Sequence, residues 1–258
     1  MSPVAVLAAI FASASALMSL VFVVSMRRKN LGIVDVAWSA MMGLSAIAAG
    51  ASGTGGSAAR ALVALLGGLW ATRLFLHLRH RVASEVEDGR YQAMRVRLGT
   101  RTLSYFAFFQ MQAVSVGLFA VPFIAAATNP SPTNAGLAVA VVVALVAIGG
   151  ESVADRQLAR HRADPSRRGT TCREGLWSWS RHPNYFFEWL HWFAYPAIAF
   201  GGPGFPFALL GPVLMGFFLY RVSGIPWVEA QALRSRGHDY RRYQREVSAF
   251  FPLPPRST

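Results

Sequence analysis

The densest reactive chemistry in the chain lies in residues 175–192, GLWSWSRHPNYFFEWLHW. Arg181, His182, Asn184, Tyr185 and Glu188 fall within eight residues, with Pro183 among them and an apolar run from Trp189 to Phe200 directly behind. Polar side chains at the mouth of an apolar helix are costly unless they are used. Pro183 suits a first helical position, where its missing N–H loses nothing. A helix starting there sets Asn184 and Glu188, i and i+4, on one face. Its N-terminus, flanked by Arg181 and His182, favours an anionic group. The competing reading is an interfacial aromatic belt with a basic anchor, which needs neither an Asn nor a Glu one turn apart.

Three other clusters and one isolated acid carry chemistry. Glu151 and Asp155 are i,i+4 like charges at the end of an apolar run and need partners, such as Arg181 or the hydroxyl and amide groups of a ligand. The alternative is a solvated helix end bonded to nearby arginines. In the tail, Glu229, Arg236, Tyr240 and Tyr243 recur at helix-compatible intervals, interrupted by Gly237; the alternative is an amphipathic interfacial helix. Glu85, Glu87 and Asp88 stand beside Arg90 and Tyr91, as a salt-bridged surface helix or as a ligand contact. Asp35 is the lone carboxylate near the start of the second apolar run, either functional or paired with Arg28 or Lys29. The histidines show no HExxH pairing, so no metal is expected; no P-loop or GxGxxG appears. Cys172 is the single cysteine, which excludes an intramolecular disulfide and a Cys-based zinc site.

The elements that must position these groups are membrane helices. Hydrophobic residues make up 53% of the 258 residues and charged residues 14%. Apolar runs at 4–26, 31–50, 58–78, 103–127, 135–152, 182–200 and 206–222 predict about seven transmembrane helices in an all-α, polytopic membrane protein. The fifth is expected to continue as a helix through Asp155 to Arg162. The whole chain reads as one membrane domain, with 223–258 as a C-terminal tail. The first run lacks a basic region before it and has Arg27–Lys29 after it, which predicts a retained span. With seven spans, every basic residue except Arg60 falls on or beside one set of connections. That side is predicted to be cytoplasmic, leaving the N-terminus outside and the C-terminus inside. The same asymmetry accounts for the net charge of +13 without nucleic acid.

At GLWSWSRHPNYFFEW the sequence resembles the steroid 5-alpha-reductase-like membrane proteins, in their bacterial branch. VDVAW (34–38), EDGRY (87–91), ADRQL (154–158), SGIPWVE (223–229) and GHDYRRY (237–243) follow the family's order. The RHPNY core is also similar to segments of sterol C14 and C7 reductases and of isoprenylcysteine and phospholipid methyltransferases. The resemblance implies a seven-helix fold in a bacterial inner membrane, with NADPH entering from the cytoplasm and an enone lipid or steroid entering from the bilayer. It implies a monomer that passes hydride to the beta carbon of an activated double bond. Glu151, Asp155, Arg168, Arg173, Trp179, Arg181, His182, Asn184, Tyr185, Glu188, Glu229, Tyr240 and Tyr243 fall where the family binds the cofactor, the last three in a tail that closes over it. Asp35, protonated by burial, or Tyr91 would polarise the ketone. The chain departs from the pattern at Phe187, where the family usually has Gly, and in lacking a Gln-Glu pair in the second span. Two further readings are an S-adenosylmethionine-dependent methyltransferase of a lipid or isoprenyl-cysteine, and a non-enzymatic sterol- or lipid-binding protein.

Overall fold

A computed structural model describes residues 1–256; the last two residues of the predicted tail lie outside them. Among the described residues there are helices, turns and loops but no strand. Six helices are long and apolar enough to cross a membrane: Pro3–Arg28, Ile33–Ser52, Ser57–Ser84, Thr102–Ala127, Asn134–Ala163 and Phe205–Glu246. These are features of an integral membrane protein. The stretch predicted as a sixth span, 182–200, is instead two short helices, Pro183–His191 and Ala194–Ala199. Pro196 explains the break: it cannot donate back to the carbonyl four residues earlier, at Trp192.

The chain divides into two compact units. The first holds residues 1–141 and 195–211. It contains α1 (Pro3–Arg28), α2 (Ile33–Ser52), α3 (Ser57–Ser84), α4 (Gly89–Leu98) and α5 (Thr102–Ala127). Ser2 caps α1, its hydroxyl accepting from the Ala5 N–H at 3.2 Å, with Pro3 in the first turn. Lys29 ends that helix in the left-handed conformation. Helices α2 and α3 meet along small residues. A Cβ added at Gly67 would lie 2.4 Å from the Ala46 Cβ, and one at Gly50 would lie 2.5 Å from the Arg60 carbonyl oxygen. Lipid offers helices no hydrophobic gain on association, so such close backbone approach is what holds them. Polar clasps add to it. Ser15 donates to Gln110 Oε1 at 2.7 Å, and the Gln110 amide donates to Ser19 at 3.0 Å, joining α1 to α5. Trp38 donates to Ser115 at 2.8 Å, joining α2 to α5. Buried Asn129, just past α5, donates to the Ile198 carbonyl at 2.8 Å and so holds the 195–211 segment in the same unit.

The second unit holds residues 142–194 and 212–256. Here the latter part of α6 (Asn134–Ala163) runs unbroken past Asp155 and Arg162, as the sequence predicts. A loop with two 3-10 turns leads to α7 (Pro183–His191), which begins at the expected proline. The chain passes through α8 (Ala194–Ala199) and α9 (Phe205–Ala208), whose residues 195–208 belong to the first unit, and re-enters the second within α10 (Leu210–Phe217); a π-helical segment, Phe218–Val222, then leads into α11 (Ile225–Glu246).

Helix α11 is not straight. Gly237 has φ 47° and ψ −114°, a conformation that favours glycine. Gln244 Nε2 donates to Glu229 Oε2 at 2.9 Å, although the two residues are 15 apart in sequence. A straight helix would separate them by about 22 Å along its axis, so the two halves fold back on each other at Gly237.

Candidate functional site

In the second unit, Glu229 is the hub. Its carboxylate accepts from Arg181 Nε at 2.7 Å, from Gln244 at 2.9 Å and from the Tyr240 hydroxyl at 3.4 Å, and His182 Nε2 lies 3.3 Å away. The Arg181 and Glu229 side chains are 11% and 16% exposed, so this is a partly desolvated ion pair whose remaining donors and acceptors are well used. Arg181 also donates to the carbonyls of Gln244 (3.0 Å) and Val247 (2.6 Å). A second clasp lies beside it. Arg173 donates to Glu246 at 2.6 Å and to Asp239 at 2.9 Å, with its guanidinium over the Tyr243 ring. The Asp239 carboxylate accepts from the Thr171 N–H, and the Tyr243 hydroxyl donates to the Trp177 carbonyl.

These contacts sew the 171–183 loop to the folded-back tail. The main chain continues the seam: the Arg181 N–H donates to the Ser248 carbonyl at 2.8 Å and the Leu253 N–H to the Trp179 carbonyl at 3.0 Å. The loop is fixed to α6 as well, where Trp177 donates to the Ala154 carbonyl and the Gln157 side chain accepts from the Leu176 N–H.

Beside the seam, at the start of α7, stands a different set. Asn184 donates to Asp155 on α6 at 3.3 Å, while its carbonyl oxygen Oδ1 is buried with no hydrogen-bond partner among the described residues. Such an orphaned acceptor costs about 1–3 kcal/mol unless a donor reaches it. Glu151 and Glu188 are buried, and His182 stacks on Tyr185 with ring centroids 5.4 Å apart and planes 7° from parallel. Phe187 lies flat against Gly150: a Cβ there would sit 2.4 Å from the ring. The departure from the family's glycine at 187 is therefore matched by a glycine on α6. Arg168 and Trp179 are exposed, the latter to 47%.

In the first unit a separate cluster surrounds Asp35. The Tyr91 hydroxyl donates to Asp35 Oδ1 at 2.6 Å. Arg90 and Arg81 approach Oδ2 at 3.3 Å and 3.6 Å. Arg90 also pairs with Asp88 at 3.1 Å, and Asp88 caps α4 by accepting from the Arg90 N–H. Burial pushes the Tyr91 phenol well above its usual value of 10, and the neighbouring Asp35 charge pushes it further, so the proton stays on oxygen. Burial acts to raise the Asp88 carboxyl, but Arg90 and Arg81 outweigh it and hold the carboxyl below 3.8. Glu87 accepts from the Leu31 N–H at 2.6 Å and pairs with Arg95 at 2.9 Å, fixing α4 to the α1–α2 connection.

The site residues named from the sequence therefore separate by role. Asp35 takes Tyr91, Arg90 and Arg81 rather than Arg28 or Lys29. Two guanidiniums and a phenol surround it, and its Oδ1 accepts from the phenol. Arg181 serves Glu229, not the Glu151–Asp155 pair. Arg173, Arg181, Glu229, Tyr240 and Tyr243 are internally bonded and position the loop. Asp155, Asn184, Tyr185 and Glu188 gather around the start of α7, and His182 bridges the two sets. Missed from the sequence were Asp239, Gln244, Glu246 and Gln157 in the second unit and Arg81 in the first. The distances along the chain, 66 residues from Arg173 to Asp239, left no local signal.

The chemistry of the Asp155–Asn184–Glu188 set is that of acceptors for amide or hydroxyl donors, at a helix N-terminus. No curated protein and no solved structure matches the chain. A family profile does, over residues 21–247, most of both units. The chain belongs to the family described as "Protein of unknown function (DUF1295)", which is associated with steroid 5-alpha-reductase-like membrane proteins.

Proposed function

We propose that the protein is an NADPH-dependent reductase of the activated C=C bond of an enone lipid, with a 3-oxo-4-ene steroid as the leading substrate class. The observation that carries this reading is the buried Asn184 Oδ1, an acceptor without a donor, on a side chain that donates to Asp155 and stands one turn before the acid Glu188 on α7. The carboxamide and ribose hydroxyls of a nicotinamide dinucleotide are donors of the right kind. Asp155, Asn184 and Glu188 would hold those groups, Tyr185 offers a ring face, and Arg168 a charge for a phosphate. When bound, the cofactor supplies the hydride. Arg173, Arg181, Glu229 and Tyr243 keep in place the loop that leads into α7, where Asn184 stands. The phenol of Tyr91 would serve a ketone oxygen by turning its one hydrogen from Asp35 to that oxygen. In the same proposal 182–200 serves as a seventh span and the tail faces the cytoplasm of a bacterial inner membrane. The support is the placement of every basic residue but Arg60.

The test is thermal unfolding of the detergent-purified protein with NADPH, NADH and S-adenosylmethionine in parallel, followed by enone-dependent oxidation of NADPH. A ligand that binds only the folded state stabilises it by about 2.7 kcal/mol at a hundredfold excess over its dissociation constant. NADPH is expected to give that shift and to lose it in Asn184→Ala/Glu188→Ala. Wild-type NADPH affinity in the double variant would refute the site. A shift with S-adenosylmethionine alone would replace reduction by methyl transfer.

A further inference from the structure

The tail helix α11 carries its charges unequally. All three of its acids are held in ion pairs: Glu229 with Arg181, Asp239 with Arg173, and Glu246 with Arg173 and Arg242. Arg236 stacks on Tyr240 with its guanidinium 5.1 Å from the ring centroid. Arg234, Arg241 and Arg245 are exposed and have no ion pair among the described residues. The exposed charge that α11 leaves without an ion pair among the described residues is therefore cationic.

The same segment carries an apolar rim. The first half of α11 starts directly after the last apolar run and exposes Trp227 to 42%. The second half returns, because of the reversal at Gly237, to Phe250, whose ring lies 5.8 Å from that of Tyr220 at the end of the same run. Phe251 packs on Trp189 at 5.8 Å yet remains 52% exposed, and Leu253 is equally exposed. Half-exposed aromatic side chains at the end of a membrane helix belong at the headgroup level, where one end of each is apolar and the other wet. A helix that ran straight out from the span would carry its arginines away from this layer; the reversal brings Arg241 and Arg245 back towards it.

We infer that the outer face of α11, through Arg234, Arg241 and Arg245, docks on acidic phospholipid headgroups, with Trp227, Phe251 and Leu253 set into the same interface. Both halves of the surface are needed. Arginines near an anionic bilayer are attracted to its surface charge within a Debye length, and the apolar rim fixes their depth. The inference does not depend on the cofactor reading.

The experiment uses the full chain in phosphatidylcholine bilayers carrying a trace of spin-labelled phosphatidylglycerol or spin-labelled phosphatidylcholine. The motionally restricted fraction gives the preference for the acidic lipid. A preference of roughly fivefold is expected at low salt, falling as salt is added. Arg234→Gln/Arg241→Gln/Arg245→Gln should remove most of it, and the corresponding Arg→Lys triple should keep it, which separates loss of charge from loss of fold. Arg27→Gln/Arg28→Gln/Lys29→Gln removes the same number of charges elsewhere and should leave the preference near the wild-type value. Equal binding of the two lipids by the wild type would overturn the proposal. So would an equal loss in both Gln triples, which would mark a general effect of net charge. Suppression by millimolar inorganic phosphate at constant ionic strength would assign the face to a soluble phosphate instead.

Discussion

Replacing Glu229 by methionine isolates the energetics of the seam in the second unit. The carboxylate accepts from Arg181, Gln244 and Tyr240 and faces His182, and the Arg181–Glu229 pair is largely withdrawn from water. Removing one partner of such a pair leaves the other as an uncompensated charge, which costs about 3–5 kcal/mol in a fully buried setting. Arg181 keeps two carbonyl acceptors, at Gln244 and Val247, and both side chains retain some solvent, so the cost here should fall to about 2–3 kcal/mol. The penalty is local, because the carboxylate ties the 171–183 loop to α11 and not to the rest of the chain.

Hydrogen exchange is therefore the assay, read at the Arg181 and Leu253 amides, which donate across the seam to the Ser248 and Trp179 carbonyls. A loss of 2–3 kcal/mol corresponds to about a 30- to 150-fold acceleration of opening-limited exchange at those amides. Amides of α2 and α3, in the other unit, should be unchanged. Because the damage comes from a stranded guanidinium, Arg181→Met/Glu229→Met should be far less costly than the sum of the two single variants, with a coupling of about 1–3 kcal/mol. Additive single variants, or exchange at Arg181 and Leu253 within threefold of the wild type, would show that the main-chain seam holds without the ion pair.

Other outcomes follow from the same geometry. Tyr91→Phe removes the donor to Asp35 and leaves its arginine partners, so stability should fall by about 1 kcal/mol. Enone-dependent turnover should fall by about a hundredfold at unchanged NADPH affinity; an unchanged rate would remove the phenol from the chemistry. The Tyr91–Asp88 cluster also has a pH signature. The Asp88 carboxyl is lowered on folding, so its contribution is present above 3.8 and is lost as pH falls through its lower folded value. The Tyr91 phenol is raised, so its contribution is full below 10 and is lost only as pH climbs above that. Exchange at α4 amides should accordingly show no titration of this cluster between pH 5 and 9, measured as opening free energy. Gly150→Ala would drive a methyl group into the Phe187 ring and should destabilise the protein by about 1–3 kcal/mol, with Phe187→Ala restoring it; failure of the second change to rescue the first would mean that α6 and α7 do not pack through this contact.

What was legible in the sequence was whatever depends on neighbours along the chain. The apolar runs gave four of the long helices nearly to the residue and another, α3, that continues six residues past its run, Pro183 marked the start of α7, and the interval from Asn184 to Glu188 set one face. Gly237 signalled an interruption in the tail. It could not signal a reversal, because glycine at φ 47° permits a fold-back without demanding one. The demand comes from Glu229, which must gather donors 15 residues away and 48 residues before it in order to sit away from water. Nothing near Arg181 in the chain names its partner, so the sequence offers it to an anion or to Glu151 and Asp155. Once the tail turns back, Arg181 is consumed by it, and the buried Asn184 Oδ1 is the acceptor at the start of α7 with no hydrogen-bond partner among the described residues. The same contrast holds in the first unit. Asp35 stands only a turn and a half past Arg28 and Lys29, yet the arginines that reach it come from α3 and α4, because Glu87 anchors α4 to the Leu31 N–H and swings Arg90 and Tyr91 over the start of α2. In both units a carboxylate with no obvious local partner selected the long-range contact, so the residues hardest to place from the sequence are those that define each cluster.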